Sequence, residues 1–486
     1  NIGELMPINS FLYPGAKVVP PFTVANSLRF DGSSSNLSRT KGTSDSTKIG
    51  TYSWWIKNSK FTGQNLIDCG DAFANSSSVY ISSNNTLTVF SRISNSNVLV
   101  LETDREFRDP SAWHNIVVAI DTTQSTASNR AKVYVDGVQQ TSFSTETYPD
   151  QNADLRFFTS SETEKISSTT YESGGYFGGY MCEVVKVDGQ ALAPTSFGQF
   201  NTDTPTVWEP KDPSGLSFGT NGYYLDFEDS SNLGNNVAGG TDFTENNIAA
   251  TDQSTDTCTN NFATLNPLKR LGTTSRSFEE GNLRFHTTTT AWGNTASTIS
   301  FTQGKWYAEV KIMNLASSTG YGSIGLIDIN AATYNGDDTN IKQDNASVGL
   351  NLDHRSGQSD IRSATSAVTT NIGNFSNDDI LGLAVDMDNK ALYIHLNGTY
   401  YQVSSVTGVP TSGSSKTGAI TIPTSIIDCA FQVGSYTDKA DVAYNFGSPF
   451  FSISSGNSDA NGHGNFEFSV PSGYYALNTK NLAEFG

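Results

Sequence analysis

Short segments typical of β-strands, separated by clusters of turn-forming residues, recur along almost the whole chain. TYSWWIK, TLTVFSR and WHNIVVAID are rich in β-branched and aromatic residues, and Gly, Asn, Asp and Ser separate such segments. In AKVYVDG, Val133 and Val135 alternate with Lys132 and Tyr134, and the segment ends at a typical Asp-Gly hairpin turn. No helical period lies between these segments. The sequence therefore predicts an all-β fold of two jelly-roll-like β-sandwiches joined by an ordered junction rich in Pro, Gly and Asn.

Composition excludes several classes of function. The chain has 486 residues, and its 48 acidic against 29 basic residues give a formal charge of -19. Such a surface repels polyanions, so we expect no nucleic-acid binding. The same charge argues against simple electrostatic attraction to an acidic bacterial envelope. With 11% aromatic residues the chain has enough apolar material for packed cores and is not a disordered protein.

The cysteines and the apolar runs give no sign of a metal cluster or a membrane span. The four cysteines form no CxxC pair and have no zinc-like histidine spacing, so we expect free, mostly buried thiols. No run approaches the roughly 18 apolar residues of a membrane helix, and the N-terminus lacks the pattern of a secretion signal. We therefore expect no membrane insertion.

Residues 1–25 carry four prolines, so they suit neither a regular helix nor a central strand. We interpret them as an extended docking arm. The alternative is a disordered terminus. The apolar side chains that favour the arm are Leu5, Ile8, Phe11, Leu12 and Tyr13.

Residues 26–198 carry an ordered series of strand motifs. These are SLRFDG, TYSWWIK, AWHNIVVAID followed by NRAKVYVDGVQ, and the closing CEVVKVDGQALAPTSFG. In this order they resemble the laminin-G-like, concanavalin A-like jelly roll. Turn formers dominate residues 199–275, and we interpret this range as an ordered junction because a long structureless loop is rare in a compact protein.

Residues 276–470 again predict a β-sandwich, followed by a C-terminal tail over 471–486. KWYAEV, DILGLAVDMDNKALYIHLNG and NFG resemble a SPRY domain, which binds partners through its loops. Leu381 at the usual Ile or Val position is a mild departure from that pattern. Asp378 stands where Gly commonly precedes the first Asp, and this affects one turn rather than the fold.

Motifs over residues 180–486 resemble virion proteins of tailed bacteriophages, especially marine ones. They are VDGQALAPTSFG, VWEPKDPSGLSFGTNGYYLDFEDSSNLGNN, AATDQSTDTCTNNFATLNP and GYYALNTKNLAEFG. The resemblance implies a particle assembled in the bacterial cytoplasm, with this protein exposed on it. A tail fibre or adhesin is the first hypothesis. A capsid decoration or head fibre is the second, and a polysaccharide depolymerase the third.

The most enzyme-like pattern is Glu102, Asp104 and Glu106, because some glycosidases of the jelly-roll superfamily place E-x-D-x-E on one sheet face. The alternate residues Thr103 and Arg105 would then enter the core, and a buried unpaired Arg is costly. The five histidines show no HExxH motif and no G-x-S-x-G serine accompanies them. We therefore name no catalytic residue and expect no enzyme.

Acidic loop positions leave room for a divalent cation such as Ca²⁺ without naming its ligands. Asp68 and Asp71, or Asp337 and Asp338, are oxygen-rich candidates, and some laminin-G-like domains hold one calcium at a loop rim. The twelve-residue calcium loop with its closing Glu is absent from the sequence. No cofactor and no metal ligand are predicted.

Aromatic residues set among Gly, Ser, Asn and Asp are the candidate ligand-binding residues. Planar rings beside amides and carboxylates suit sugars, which present apolar CH faces ringed by hydroxyls. The alternative is that these rings pack on their own domain. The candidates are Phe73, Tyr171, Tyr176, Phe177, Tyr334 and His354.

These features together predict a non-enzymatic adhesin. We expect the arm to contact other virion proteins and the loops of both sandwiches to bind a glycan or receptor on the host surface. Because weak loop contacts gain from multiple copies, a homo-oligomer is expected.

Overall fold

The computed structural model describes residues 22–269, 276–287, 292–315, 320–330, 346–354, 359–370, 372–436 and 439–486. The arm candidates Leu5, Ile8, Phe11, Leu12 and Tyr13, and the loop candidate Tyr334, lie outside these residues. No helix in the described ranges is long and apolar enough to cross a membrane.

The first part of the chain forms strands β1 to β18. Their bounds are β1 Ser27–Asp31, β2 Asn36–Thr40, β3 Ile49–Asn58, β4 Gln64–Ala72, β5 Asn75–Ile81, β6 Thr86–Ile93, β7 Ser96–Glu106, β8 Trp113–Asp121, β9 Ala131–Val135, β10 Val138–Gln139, β11 Phe143–Thr147, β12 Thr163–Ile166, β13 Gly178–Asp188, β14 Gly198–Phe200, β15 Trp208–Pro210, β16 Tyr223–Leu225, β17 Thr244–Asn246 and β18 Gln253–Ser254.

The second part of the chain forms strands β19 to β35 and a terminal helix. Their bounds are β19 Arg276–Glu279, β20 Arg284–Thr287, β21 Trp292–Ala296, β22 Lys305–Leu315, β23 Tyr321–Asp328, β24 Ser347–Asp353, β25 Asp360–Ser363, β26 Ser366–Thr370, β27 Ile380–Asp386, β28 Ala391–Leu396, β29 Thr399–Tyr400, β30 Gln402–Val403, β31 Val406–Thr407, β32 Ile420–Thr421, β33 Cys429–Tyr436, β34 Ala440–Asn445, β35 Tyr475–Ala476 and α1 Thr479–Phe485.

Two antiparallel sheets form the first sandwich. In sheet 1 the strands run β10-β9-β8-β3-β13-β1-β18, with β16 also paired to β13; in sheet 2 they run β11-β7-β6-β5-β4-β12-β2-β17. Alternate residues of each strand enter the core between the sheets, as period-2 geometry requires. Trp54 and Ile56 from sheet 1 and Val79 and Val89 from sheet 2 are fully or almost fully buried there.

Part of the predicted junction belongs to the first sandwich. Strand β16 extends sheet 1 beside β13, β17 extends sheet 2 beside β2, and β18 pairs with β1. Residues around Phe197, Leu216 and Phe218 pack on the outer side of sheet 1, against Val117 and Val185. This packing covers part of the outer face of sheet 1.

The second unit is also a two-sheet sandwich. One sheet runs β19-β20-β34-β22-β27-β28-β29, with β32 and β35 added at its side, and the other runs β21-β33-β23-β24-β25-β26. Leu383 of β27 packs in one core with Leu350 of β24 and Phe431 of β33. The predicted all-β fold with two sandwiches is confirmed.

Residues 254–262 lie between the two sandwiches and contact both. Asp256 accepts a hydrogen bond from Lys57 Nζ of β3 at 2.7 Å, and Ser254 Oγ lies 2.7 Å from Ser448 Oγ of the second unit. The Tyr180 hydroxyl of β13 donates to Gly281 O at 3.1 Å. Buried polar contacts thus join the two units directly.

Candidate functional site

The outer face of sheet 2 carries a continuous set of polar and aromatic side chains. The inward residues of β4 to β7 fill the core, so their neighbours point to the other side of the sheet. Cross-strand register places Asp68 beside Ser78, Ser78 beside Phe90, and Thr88 beside Glu102. We call this surface the sheet-2 face; its members are Asp68, Phe73, Ser78, Tyr80, Thr88, Phe90, Arg92, Val100, Glu102 and Tyr171.

Three aromatic rings meet at one end of the sheet-2 face. Phe73, in the turn between β4 and β5, is 49% exposed. Its ring centroid lies 5.4 Å from that of Tyr171 and 6.5 Å from that of Phe90, and the Phe73 and Phe90 planes are 11° apart. Burial raises the pKa of Tyr171 to about 12, so its hydroxyl remains a proton donor at neutral pH. The rings form an accessible apolar platform with a polar edge.

Arg92 lies over this platform. Its guanidinium carbon is 4.5 Å from the centroid of the Phe73 ring, a cation–π distance. Its cross-strand neighbours are the uncharged Ser76 and Asn97. Within the described part of the chain Arg92 has no ion-pair partner, and its buried Nε atom has no hydrogen-bond acceptor.

Asp68 is buried beneath the loop that links β12 to β13. Thr170 donates two hydrogen bonds to its Oδ1, from the backbone nitrogen at 3.1 Å and from Oγ1 at 2.6 Å. Burial nevertheless raises the pKa of Asp68 to about 6. Gly175 holds the loop close with φ at 62°, where an added Cβ would lie 2.2 Å from Asn65 Nδ2.

The other end of the sheet-2 face carries Tyr80 and Glu102. Burial raises the pKa of Tyr80. Thr86 Oγ1 donates to Glu102 Oε1 at 2.8 Å. Hydroxyl and carboxylate groups therefore stand across the sheet from the aromatic platform, an arrangement suited to a hydroxyl-rich ligand.

Of the two neighbouring predicted binding residues Tyr176 and Phe177, only Tyr176 is accessible. Phe177 immediately precedes β13, is 0% exposed and packs edge-on against Phe30 in the core at 6.1 Å. Its expected place in an exposed loop is therefore wrong. Tyr176, next to it, is half-buried with its hydroxyl 3.2 Å from Ser173 Oγ.

His354, at the end of β24, is also buried, so its expected exposure is wrong. The Phe375 backbone nitrogen donates to its Nε2 at 2.9 Å, and its ring stacks on Phe375 with planes 5° apart. This histidine positions a neighbouring segment of the second sandwich. Phe73 and Tyr171 are the predicted residues that the fold brings into contact.

The carboxylates of β7 are engaged by neighbouring side chains. Glu106 binds Arg108 at 2.7 Å, and Ser142 Oγ donates to Asp104. Asp68 on β4 and Glu102 on β7 are three strands apart, about 14 Å at about 4.8 Å per strand. Catalytic carboxylates in glycosidases lie about 5 to 9.5 Å apart.

The described residues also include no group of three or more His, Cys, Asp or Glu side chains placed to hold a metal ion. The predicted calcium candidates Asp337 and Asp338 lie outside those residues.

Sequence reasoning missed Tyr80, Phe90 and Arg92. The signal was present, because in SSSVYIS and TLTVFSR these residues alternate with the core residues Val79 and Val89. The candidates come from segments rich in Gly, Ser, Asn and Asp, which leaves out strand residues, although only one of the two sides of each strand faces the core.

Comparison with known proteins supports the fold. Residues 31–193 match the family model described as the concanavalin A-like lectin/glucanases superfamily. The first sandwich is concanavalin A-like. No curated protein matches the sequence.

Several solved structures resemble the chain at low identity. The SPRY domain of human HERC1 has 12% identity and a TM-score of 0.27, covering 37% of this chain and 96% of that one. Domains LG4-5 of the mouse laminin α1 chain have 9% identity and a TM-score of 0.29, covering 94% and 99%. The CBM40 of Ruminococcus gnavus IT-sialidase, bound to α2,3-sialyllactose, has 15% identity and a TM-score of 0.23, covering 33% and 89%.

Proposed function

We propose that this chain is a non-enzymatic carbohydrate-binding protein and that the sugar lies on the sheet-2 face of the first sandwich. The observation that carries the proposal is the half-exposed ring of Phe73, held between Tyr171 and Arg92. The match of residues 31–193 to the concanavalin A-like lectin/glucanases superfamily supports a sugar ligand.

The physical basis is the pairing of an apolar ring with nearby hydrogen-bonding groups. A pyranose places its CH face on an aromatic ring and its hydroxyls toward carboxylates, hydroxyls and guanidinium groups. Phe73 supplies the ring, Tyr171 the hydroxyl and Arg92 the donors. Because Asp68 is held by Thr170 beneath the surface, its role is to fix the loop that carries Tyr171.

A glycan array probed with the full chain tests this proposal. The variant Phe73→Ala should bind every positive glycan at least about fivefold more weakly, because stacking on an aromatic ring, by analogy with bases, is worth about 1–3 kcal/mol. Phe200→Ala is the matched control, because Phe200 is 44% exposed but packs on Trp208 away from the sheet-2 face. Equal weakening by both variants, or no binding by the unchanged protein, would contradict the proposal.

A finer version of the proposal assigns the protein to a bacteriophage particle, as a tail fibre or adhesin that binds a host-surface glycan. It rests on the motifs over residues 180–486 and on the apolar arm at residues 1–25. Homo-oligomers on the particle would give the multivalency that weak sugar contacts need.

Antibodies against the protein, applied to particles containing it, test this finer version. They should block adsorption to host cells, and quantitative mass spectrometry should find small multiples of about three or six copies per particle. Unimpaired adsorption would contradict an adhesin role, and hundreds of copies would indicate a capsid decoration instead.

A further inference from the structure

Charge is unevenly distributed along the sheet-2 face. Arg92 and Thr88 are four residues apart on β6, about 13 Å at about 3.3 Å per residue, and Thr88 is the cross-strand partner of Glu102. The cation and the carboxylate therefore stand at opposite ends of the face. A ligand lying across it meets the Arg92 guanidinium at the end where the aromatic platform lies, while the other cation of the face, Lys165 of β12, is the cross-strand partner of Asp68.

The carboxylates of the face do not neutralise Arg92. Glu102 accepts a hydrogen bond from Thr86, and Asp68 accepts one from Thr170. Asp68 also lies on β4, two strands from β6, which corresponds to about 10 Å at the usual strand spacing. The nearest cross-strand side chains, Ser76 and Asn97, carry no charge. In a chain with 48 acidic residues, Arg92 is thus a local cation without a counter-ion in the described structure.

The guanidinium is also held in place before any ligand binds. The cation–π contact with Phe73 restricts its orientation, and the buried Nε lacks a hydrogen-bond acceptor. A planar guanidinium binds a carboxylate through two parallel hydrogen bonds, which a hydroxyl group cannot match.

We propose that the sheet-2 face selects saccharides that carry a carboxylate, with Arg92 binding that group and Phe73 the adjoining sugar ring. This inference rests on the proposed sugar-binding function and names its ligand class. Arg92 binds the carboxylate by direct contact at one place on the surface, so this selectivity does not conflict with the net charge of -19 of the whole chain.

The test is an array of uronate-containing and sialylated oligosaccharides, each printed beside its carboxyl-reduced form. The unchanged protein should bind at least one acid form about tenfold more tightly than its reduced partner. Arg92→Gln should remove that difference, and Arg92→Lys should keep only part of it because an ammonium lacks the paired donors. Arg108→Gln, an exposed control in the same sandwich, should leave the difference unchanged. Melting temperatures should verify that all variants fold.

The outcomes separate this inference from the proposed function. Equal binding of acid and reduced forms, binding of neutral sugars alone, or unchanged discrimination by Arg92→Gln would overturn carboxylate selection and leave sugar binding standing. If no saccharide on the array binds, both proposals are wrong.

Discussion

The Lys57 ammonium and the Asp256 carboxylate meet at 2.7 Å where the two sandwiches join, with each side chain only 1% exposed. Lys57 also donates to Asn261 Oδ1 and to Phe262 O, while Trp113 Nε1 donates to Asp256. Burial lowers the pKa of Lys57 and raises that of Asp256, and their attraction opposes both shifts. Residues 254–262 therefore act as a structural joint.

Replacing Asp256 with Ala should lower the free energy of unfolding by about 3–5 kcal/mol, because it leaves the Lys57 ammonium buried without its counter-ion. Urea denaturation measures this. Asp154→Ala is the control, since the Lys48–Asp154 pair is largely exposed and should contribute less than about 1 kcal/mol. Similar small losses for both variants would mean that the joint is not stabilised by the pair.

A second prediction concerns Glu164, which links the two sheets inside the first core. Arg39 Nε donates to it at 2.8 Å and Lys186 Nζ at 3.1 Å. Burial alone would raise the pKa of Glu164, but Lys186 and Arg39 hold it at about 2, below its usual 4.5. The carboxylate therefore stabilises the fold above pH 4.5, and this contribution is lost as the pH falls toward 2.

Glu164→Gln should thus cost about 3 kcal/mol or more at pH 7, and the loss should shrink as the pH approaches 2. Denaturation of both proteins at several pH values measures the difference. A cost that stays constant down to pH 2 would show that Glu164 is not ionised in the folded protein.

Asp68 should give the opposite pH dependence. Its pKa in the folded protein is about 6, above the ordinary 3.8, so the folded state binds a proton more tightly than the unfolded state does. Protonation of Asp68 therefore stabilises the fold at low pH, and this stabilisation is lost as the pH rises from about 4 through about 6. Asp68→Asn keeps an acceptor for Thr170 but does not titrate. The variant should gain about 3 kcal/mol relative to the unchanged protein between pH 4 and pH 8. A pH-independent difference would contradict the burial described for Asp68.

Phe177 and Phe73 allow the effect of removing a buried core ring to be compared with the effect of removing an exposed ring at the proposed binding site. Phe177→Ala should destabilise the protein by about 3–5 kcal/mol because it empties a fully buried position. Phe73→Ala should cost less than about 1 kcal/mol while weakening sugar binding. Thermal denaturation measures the first effect and calorimetric titration the second. Comparable destabilisation by both substitutions would make Phe73 a structural residue.

The strand pattern was predictable because period-2 alternation is local. Val133 and Val135 alternate in sequence and are both fully buried. The neighbours Trp54 and Trp55 show the limit of such reasoning: Trp54 enters the core, but Trp55 is buried on the opposite side against Trp208. Trp208 lies far from Trp55 in the sequence, so no local pattern indicates that it covers Trp55.

The site was only partly predictable for a similar reason. Tyr171 and Phe177 share one Gly- and Ser-rich segment, yet entry into β13 turns Phe177 into the core. Phe73 and Tyr171 are far apart in sequence and meet because β12 pairs with β4. Composition identified both residues as candidates, but only the strand order could place them together.

Hydroxyl-radical footprinting with and without a bound oligosaccharide tests the central claim most directly, because it reports which side chains the sugar covers. We predict that Phe73, Phe90 and Tyr171 lose reactivity on binding, while the exposed Val138 and Phe200 do not. Protection of other residues, with Phe73 and Tyr171 as reactive as in the free protein, would contradict a sugar site on the sheet-2 face.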